Sequence, residues 1–514
     1  MSNENQEIRA VKRQKLADDY ASIGDENKTI ESDVSDEEFE IPDYMLASKD
    51  GARIGSQESP ATEESNDNST HYLETINRQI LDFDFEKICS VTLANNNVYC
   101  CLVCGKYFQG RSKSSPAYVH SLQNNHHVYI NLHTEKYYVL PENYEIISPK
   151  ALKSLRDITN FLNPKYSKEL VQKLPESAFD LNHDPYEVGY VGLNNISAND
   201  YSNVIIQALS HIEPIRNWYL RLSYDESLSE RIARKSELNS KFGALVRKLW
   251  SSHLYRAHVS PHEFLQCLYS ESKKQFPITT QVSPKKLLVW LLNNLHVQQA
   301  KASKKSQTVL SKAIRGQIRI KTVPIRTKEA DSKVEFIPEN ESAKEVESNF
   351  WVLTLDLPST PLFMDVSKIQ EISILELLQK YNGVQTSQTS SSELKSYKLL
   401  SPLPEFLFLH IDRGLEKEGS TRGNPTVVQF PDTIDMAPYT EGAEGALNYK
   451  LISTIKHELI TGSELDHSDD KNQWAISIRK KNDTWVCIKD LSSKPCDGGL
   501  LFLEENYIQI WQRC

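Results

Sequence analysis

The chain has 514 residues, 39% of them hydrophobic, and a formal net charge of −10. Eight cysteines over this length do not make a disulfide scaffold, and no apolar run approaches the roughly 18 residues of a membrane-spanning helix. The polar start, MSNENQEIRA, predicts no secretory signal peptide. The composition therefore predicts a multidomain protein that works away from membranes.

Residues 1–70 hold 18 acidic and 7 basic residues, so the rest of the chain is close to neutral. This segment has few large apolar side chains, and burial could not offset the loss of chain entropy on folding. We expect a disordered acidic tail. A short basic cluster at residues 9–16 is either a weak nuclear import signal or a solvated run of charge.

Residues 72–148 form a predicted compact unit in which cysteines and histidines cluster. Cys101 and Cys104 stand three residues apart around a turn, and His120 and His126 follow. Two thiolates and two imidazoles complete a closed tetrahedral shell, which predicts one structural Zn²⁺ and no metal catalysis. His127 is an alternative to His126. The spare candidates are Cys89, Cys100, His127 and His133.

A predicted helical linker, residues 149–185, leads into one large α/β unit at residues 186–514. Helical periodicity dominates the first half of this unit, as in SNVIIQALSHI and SPHEFLQCLYS. Alternating strand patterns dominate the second half, in the segments FWVLTLDL, EFLFLHI, WAISIRK, TWVCIKD and YIQIWQ.

The finger segment, CLVCGKYFQG at 101–110 followed by His120 and His126, resembles the UBP-type zinc finger. In other proteins this finger captures the free C-terminal tail of ubiquitin, using an arginine after the Cys-Gly pair and a preceding tryptophan. Here Lys106 stands in the arginine place, and no tryptophan precedes Trp218. An ammonium group cannot form a bidentate fork to a carboxylate. The resemblance therefore implies a protein-docking finger more than a ubiquitin-tail reader.

The segment 192–209 resembles the cysteine box of the ubiquitin-specific proteases, which have a papain-like fold of thumb, palm and fingers. The resemblance places Asp200 where the nucleophilic cysteine stands and Asn195 at the oxyanion donor. It places Gln473, just before a strand, at the histidine base. Lys489 takes the place of the orienting acid, with Asp490 one residue late.

A triad of this kind needs a thiolate, a general base and an orienting acid. A carboxylate would form a mixed anhydride, and an amide cannot abstract a proton. We therefore predict a degenerate site without catalytic residues, in which Asp200 caps the helix that follows. His457 matches a non-catalytic family position and His467 lies in a polar loop, so neither is expected to rescue catalysis.

An acid-free run from Lys301 to Lys328 carries nine basic residues. It is a candidate contact for RNA phosphate, or alternatively two solvated strands and a loop. The run has no aromatic side chains that could stack on bases. No cysteine lies between Cys267 and Cys487, so the second zinc that many of these proteases carry in their fingers is not expected.

The combination of the UBP finger with VGLNNISANDY at 191–201 resembles a narrow group, the protease-dead splicing factors of the spliceosomal tri-snRNP. The resemblance implies an α+β protein with a zinc finger followed by an inactive protease-like domain. It also implies a nuclear, non-enzymatic role in pre-mRNA splicing, as a scaffold for tri-snRNP proteins. The alternatives are a ubiquitin-binding adaptor without catalysis and an active deubiquitinase.

Overall fold

The computed structural model describes residues 72–330, 333–338, 342–359, 370–388, 393–415, 423–460 and 471–514. The expected acidic tail and His467 lie outside these ranges. Within them, no helix is both long enough and apolar enough to cross a membrane.

The finger is an antiparallel sheet in the order β2-β1-β3-β4-β5, with one helix beside it. Strands β1, β3 and β4 are buried along their whole length, as expected for short runs of aromatic and β-branched side chains. The elements are β1 (Val98–Cys101), β2 (Tyr107–Gln109), α1 (Pro116–Asn124), β3 (Val128–Asn131), β4 (Tyr137–Val139) and β5 (Tyr144–Glu145).

The segment predicted as a helical linker, residues 149–185, is helical only as far as Gln172 and ends in a hairpin, and its first helices pack against the finger. Ala151, Leu155, Ile158 and Leu162 are buried in the core of the finger, and the Tyr137 hydroxyl donates to the Leu155 carbonyl at 2.9 Å. The elements are α2 (Pro149–Ser154), α3 (Arg156–Leu162), α4 (Lys168–Gln172) and a hairpin of β6 (Ser177–Phe179) and β7 (Pro185–Glu187).

Helices dominate the first half of the large unit. Helix α5 is buried at every position, and α8 presents apolar side chains at helical spacing to the same core. The helices are α5 (Asp200–Ser210), α6 (Glu213–Arg221), α7 (Glu226–Lys235), α8 (Glu237–Leu249), α9 (His262–Glu271), α10 (Pro284–Ser303) and α11 (Val309–Ala313). A short parallel pair joins β8 (Gly192–Leu193) to β9 (His258–Val259).

The second half is built on a palm sheet in the order β13-β17-β25-β21-β22-β23-β24, with β19 pairing β21. All five predicted strand segments contribute to it, and apolar cores lie on both of its faces. The strands are β13 (Leu353–Asp356), β17 (Phe406–Asp412), β19 (Thr433–Asp435), β21 (Asn448–Ile460), β22 (Lys471–Arg479), β23 (Trp485–Lys489), β24 (Ser492–Cys496) and β25 (Glu505–Arg513).

A second sheet of the large unit, separate from the zinc finger, has the strand order β11-β10-β16-β15. In this sheet β12 also pairs with β10, and β20 pairs with β16. Its strands are β10 (Gly316–Ala330), β11 (Lys333–Pro338), β12 (Lys344–Phe350), β15 (Asn382–Gln388), β16 (Glu393–Leu400) and β20 (Thr440–Glu441). The remaining elements are β14 (Glu371–Ser373), α12 (Ile374–Leu378) and β18 (Val427–Gln429).

The zinc finger is anchored on the helical half by a buried ion pair. Asp84 accepts from the Lys248 ammonium at 2.5 Å and from the Ser260 amide at 2.8 Å, and the two charged side chains are only 11% and 13% exposed. The rings of Phe161 and Tyr255 stack beside it at 4.1 Å. The described residues from Tyr72 to Cys514 accordingly belong to one compact unit.

Candidate functional site: a zinc centre and the remnant of a catalytic cleft

The four predicted zinc ligands converge in the finger. The ligand atoms of Cys101, Cys104, His120 and His126 all lie within 4.8 Å of one another. The Cys104 sulfur is 3.3 Å from His120 Nε2, and His120 Nε2 is 3.1 Å from His126 Nδ1. Two sulfurs and two nitrogens at this spacing fit a closed tetrahedral zinc site.

Local structure explains why these four side chains meet. Cys101 ends β1, and the turn to Cys104 closes through the Gly105 amide, which donates to the Cys101 carbonyl. Gly105 has φ +73°, and an added Cβ would lie 2.9 Å from the Ile80 carbonyl oxygen, so the turn requires glycine. Helix α1 carries His120, whose ring stacks on Phe108 at 4.2 Å.

The spare candidates are engaged elsewhere. His127 contacts the Leu140 carbonyl and the Asn125 side chain through its two ring nitrogens, and it lies outside the cluster of four ligand atoms. The Cys89 sulfur accepts backbone amides from Val91, Thr92 and Gln109. His133 contacts the Asn95 carbonyl. Cys100 is buried on β1 outside the cluster.

Asp200 lies at the start of α5, but it does not cap the helix. The N-cap residue is Asn199, and Asp200 is the first residue inside the helix. The predicted cap is therefore wrong by one position. Asp200 still sits in the first turn, where an acidic side chain meets the positive end of the helix dipole.

The Asp200 carboxylate is held by donors from two distant segments. Gln281 Nε2 donates to both carboxylate oxygens, at 2.7 and 2.8 Å, and the Trp474 backbone amide donates at 3.0 Å. The same Gln281 nitrogen also donates to the Asn472 carbonyl at 2.8 Å. Gln281 thus links the Asp200 carboxylate, at the position that the resemblance gives to the nucleophile, to the backbone of palm strand β22.

Asp200 is 2% exposed, and burial raises the pKa of its carboxyl group. The hydrogen bonds from Gln281 and Trp474 lower this pKa, and the charge of nearby Asp490 raises it. The net shift is upward, because desolvation outweighs the donors. The donors from Gln281 and Trp474 hold this buried carboxylate in place.

The residue that faces Gln473 is Asp490, and this corrects the assignment of Lys489. Gln473 Nε2 donates to Asp490 Oδ2 at 3.2 Å, whereas the Lys489 ammonium pairs with Glu458 at 2.5 Å. Strand β23 ends at Lys489, and Asp490 has φ +49°, which redirects its side chain. Asp490, which the resemblance places one residue late, is therefore the acidic side chain that contacts the residue at the predicted base position.

The remaining polar groups near the cleft do not supply a base. His457 contacts Glu505 through Nδ1 at 2.8 Å and Asn472 through Nε2 at 3.0 Å, which occupies both ring nitrogens. The Asn195 side-chain oxygen accepts from the Asn199 amide at 3.1 Å, so this amide braces its own loop. A donor without a nucleophile contributes little to rate.

A cavity of about 10 Å³ remains between α5 and the palm, with room for at most one water molecule. Its lining includes Asp200, Gln207, Trp474 and Asp490. Nothing the size of an extended peptide fits in this space. Apolar side chains line the rest of the cavity together with Asn203: Leu193, Val204, Ile476 and Ile488.

The basic run is partly neutralised. Arg319 pairs with Glu347 and Glu441, and Lys321 lies 3.9 Å from Glu345. Arg315 lies over the Trp351 ring at 5.7 Å. The exposed lysines left in the described part of the run are Lys301, Lys304, Lys305 and Lys312.

Gln281 is the site residue that the sequence did not reveal. It lies in the loop before α10, outside every motif used to recognise the protease-like domain. Gln281 stands two residues before Ser283-Pro284, the start of the helix. This pattern is too common in proteins to identify a site residue.

The family profile described as ubiquitin carboxyl-terminal hydrolase matches residues 191–511. The profile described as Zn-finger in ubiquitin-hydrolases and other protein matches residues 89–151. The second match identifies the finger's metal as zinc, and the cluster of ligand atoms has room for one ion.

Among curated proteins, human ubiquitin carboxyl-terminal hydrolase 39 is 39% identical over 469 residues, covering 86% of this chain and 79% of the relative. The probable mRNA-splicing protein ubp10 of Schizosaccharomyces pombe is 37% identical over 465 residues, covering 86% and 88%. The pre-mRNA-splicing factor SAD1 of Saccharomyces cerevisiae is 31% identical over 454 residues, covering 86% and 93%.

Among solved structures, the crystal structure of an essential yeast splicing factor superposes with a TM-score of 0.69 at 29% identity. The superposition covers 86% of this chain and all of the other. The fold, the zinc centre and the cleft agree with these matches, and this chain belongs to the ubiquitin carboxyl-terminal hydrolase family.

Proposed function

We propose that this protein acts in the nucleus as a non-enzymatic pre-mRNA splicing factor, a protein-binding scaffold that supports assembly or stability of the tri-snRNP. The relatives named as splicing proteins span most of this chain and most of their own length, which supports a shared role. The scaffold reading requires that the family's hydrolytic chemistry be lost.

The observation that carries the proposal is the environment of Asp200. A carboxylate stands at the nucleophile place, Gln281 covers it, and an amide stands at the base place beside Asp490. Proton abstraction from a nucleophile needs a group that accepts a proton near neutral pH, and a carboxamide does not. We therefore assign no catalytic role to Asp200, Gln473 or Lys489.

We propose the domain bounds 72–148 for the finger, 149–185 for the connecting segment and 186–514 for the protease-like domain. We also propose Cys101, Cys104, His120 and His126 as the zinc ligands, with zinc in a structural role. The finger then serves as a docking module held in a fixed orientation by the buried pair of Asp84 and Lys248.

Direct contact with RNA phosphate is a narrower proposal, restricted to the four exposed lysines Lys301, Lys304, Lys305 and Lys312. Phosphate contacts of this kind carry no sequence specificity and weaken as salt rises. Replacing the four lysines by glutamate should reduce crosslinking to spliceosomal RNA and leave assembly with protein partners unchanged. Equal crosslinking by the variant and the wild type would contradict the proposed RNA contact.

The enzymatic alternative is tested with a ubiquitin C-terminal amide that releases a fluorophore. The full chain should release none above buffer. Hydrolysis that disappears in Asp200→Ala would overturn the scaffold proposal, and binding of the same ubiquitin without turnover would favour an adaptor role.

A further inference from the structure

Tyr129 lies beside the zinc centre and is not one of the four proposed ligands. It lies on β3, directly opposite Cys101 on β1 in the antiparallel register, so the two side chains share one face of the sheet. Its ring also meets the His120 ring edge-on, at 6.4 Å between centroids and an interplanar angle of 89°. Tyr129 therefore packs against two of the four proposed ligands.

The Tyr129 hydroxyl is an unusual feature of this cluster. The residue is 0% exposed, and its hydroxyl has no hydrogen-bond partner among the described residues. Buried hydroxyls almost always have a partner, since an unpaired one is costly. Cys101 belongs to the same buried cluster as Tyr129.

We propose that the Tyr129 hydroxyl donates a hydrogen bond to the zinc-bound thiolate of Cys101. A neutral thiol is a weak acceptor, whereas a zinc-bound thiolate carries negative charge and accepts well. The hydroxyl hydrogen has no competing acceptor among the described residues. The bond orients the Cys101 sulfur and draws charge from it, which makes Tyr129 a positioning residue for the metal site.

This inference rests on the proposed ligand set and is independent of the splicing role. The test uses the full chain and compares Tyr129→Phe with Tyr138→Phe. Tyr138 is the matched control because it pairs with Tyr129 on β4 in the same cluster, while its hydroxyl reaches Glu145 at 3.5 Å. Both changes keep the ring and remove one oxygen.

Zinc affinity is measured by competition with a chromophoric chelator, after confirming one zinc per wild-type chain. Tyr129→Phe should weaken zinc about tenfold, the lower end for loss of a partner to a metal ligand. Tyr138→Phe should bind zinc as the wild type does. With Co²⁺ in place of zinc, the sulfur-to-metal charge-transfer band should shift in Tyr129→Phe alone.

Affinity of Tyr129→Phe within about twofold of wild type, or equal weakening in both variants, would overturn the proposal. The thermal midpoint of the zinc-free chain separates a general packing defect from loss of the thiolate bond. Removing a hydroxyl that is unpartnered without zinc should leave this midpoint unchanged or raise it. A fall as large as that of the zinc-loaded chain would also overturn the proposal. A ratio of zinc to wild-type chain other than one would instead contradict the proposed set of four ligands.

Discussion

Replacing Asp200 by alanine tests whether the former nucleophile place is now a structural contact between α5 and the palm. The change removes the acceptor for the Trp474 amide, which is buried, and one of the acceptors for Gln281. Gln281 Nε2 keeps the Asn472 carbonyl as a partner at 2.8 Å. One backbone donor is therefore left unpaired in the core.

An orphaned buried amide costs about 1–3 kcal/mol. No cation contacts Asp200 in the described residues, so the roughly 3–5 kcal/mol that follows breakage of a buried ion pair does not apply. The substitution also removes a buried carboxylate that lies near the charge of Asp490, and this partly offsets the loss of stability. We expect Asp200→Ala to lower the free energy of unfolding by about 1–2 kcal/mol at neutral pH.

The pH dependence of this cost has a definite sign. Burial raises the pKa of Asp200 in the folded state above its value of about 3.9 in the unfolded chain. A group of this kind contributes most stability below its unfolded pKa and loses that contribution as pH rises through the folded pKa. The cost of Asp200→Ala should therefore grow as the pH falls from neutrality towards about 4.

Urea unfolding of both proteins, with zinc held constant, measures the difference at about pH 7.5 and about pH 5. Ser202→Ala is the matched control, since Ser202 is buried on the same helix and its hydroxyl donates to the uncharged Asn199 carbonyl. Its cost should not vary with pH. A cost for Asp200→Ala that shrinks on acidification would refute the reasoning, because it would mean that the folded state stabilises the anion.

Three further predictions concern the cleft and the finger. Asp200→Cys should not hydrolyse ubiquitin amides, because Gln473 cannot act as a base; turnover by this variant would show that another group does. Asp84→Ala should lower the free energy of unfolding by about 2–4 kcal/mol, since it strands the buried Lys248 ammonium; a change below about 0.5 kcal/mol in calorimetry would contradict the anchor. Removal of zinc by a chelator should abolish hydrogen-exchange protection in β1, β3 and β4 while the palm strands stay protected; simultaneous loss in both would contradict the proposed domain division.

The zinc centre could be predicted from sequence because its ligands are close together in the chain and the chemistry tolerates few other residue types. Cys101 and Cys104 flank one turn, and His120 and His126 lie at and just beyond a single helix. Spacing alone does not choose between His126 and His127. In the structure, His126 Nδ1 lies 3.6 Å from the Cys101 sulfur, whereas His127 Nδ1 contacts the Leu140 carbonyl.

Single-residue errors arose where the backbone leaves its regular conformation. The strand period assigns Lys489 and Asp490 to opposite faces, but the strand ends at Lys489 and the positive φ of Asp490 turns its carboxylate back towards Gln473. The helix start shows the same limit, since Asn199 takes the N-cap position that the pattern gave to Asp200.

Gln281 shows what local patterns cannot supply. It reaches Asp200 across 81 positions of sequence and the Asn472 carbonyl across 191. Contacts of this range depend on how the loop before α10 packs against α5 and the palm, and a glutamine in a loop has no periodicity that reports it.

The central claim is most directly tested by the level of assembled tri-snRNP in a splicing extract depleted of this protein. Assembly and splicing should fall on depletion and return with added wild-type protein. They should return equally with Gln473→Ala, because no proton transfer is needed. Unchanged tri-snRNP after depletion, or failure of a stably folded Gln473→Ala protein to restore it, would contradict the account.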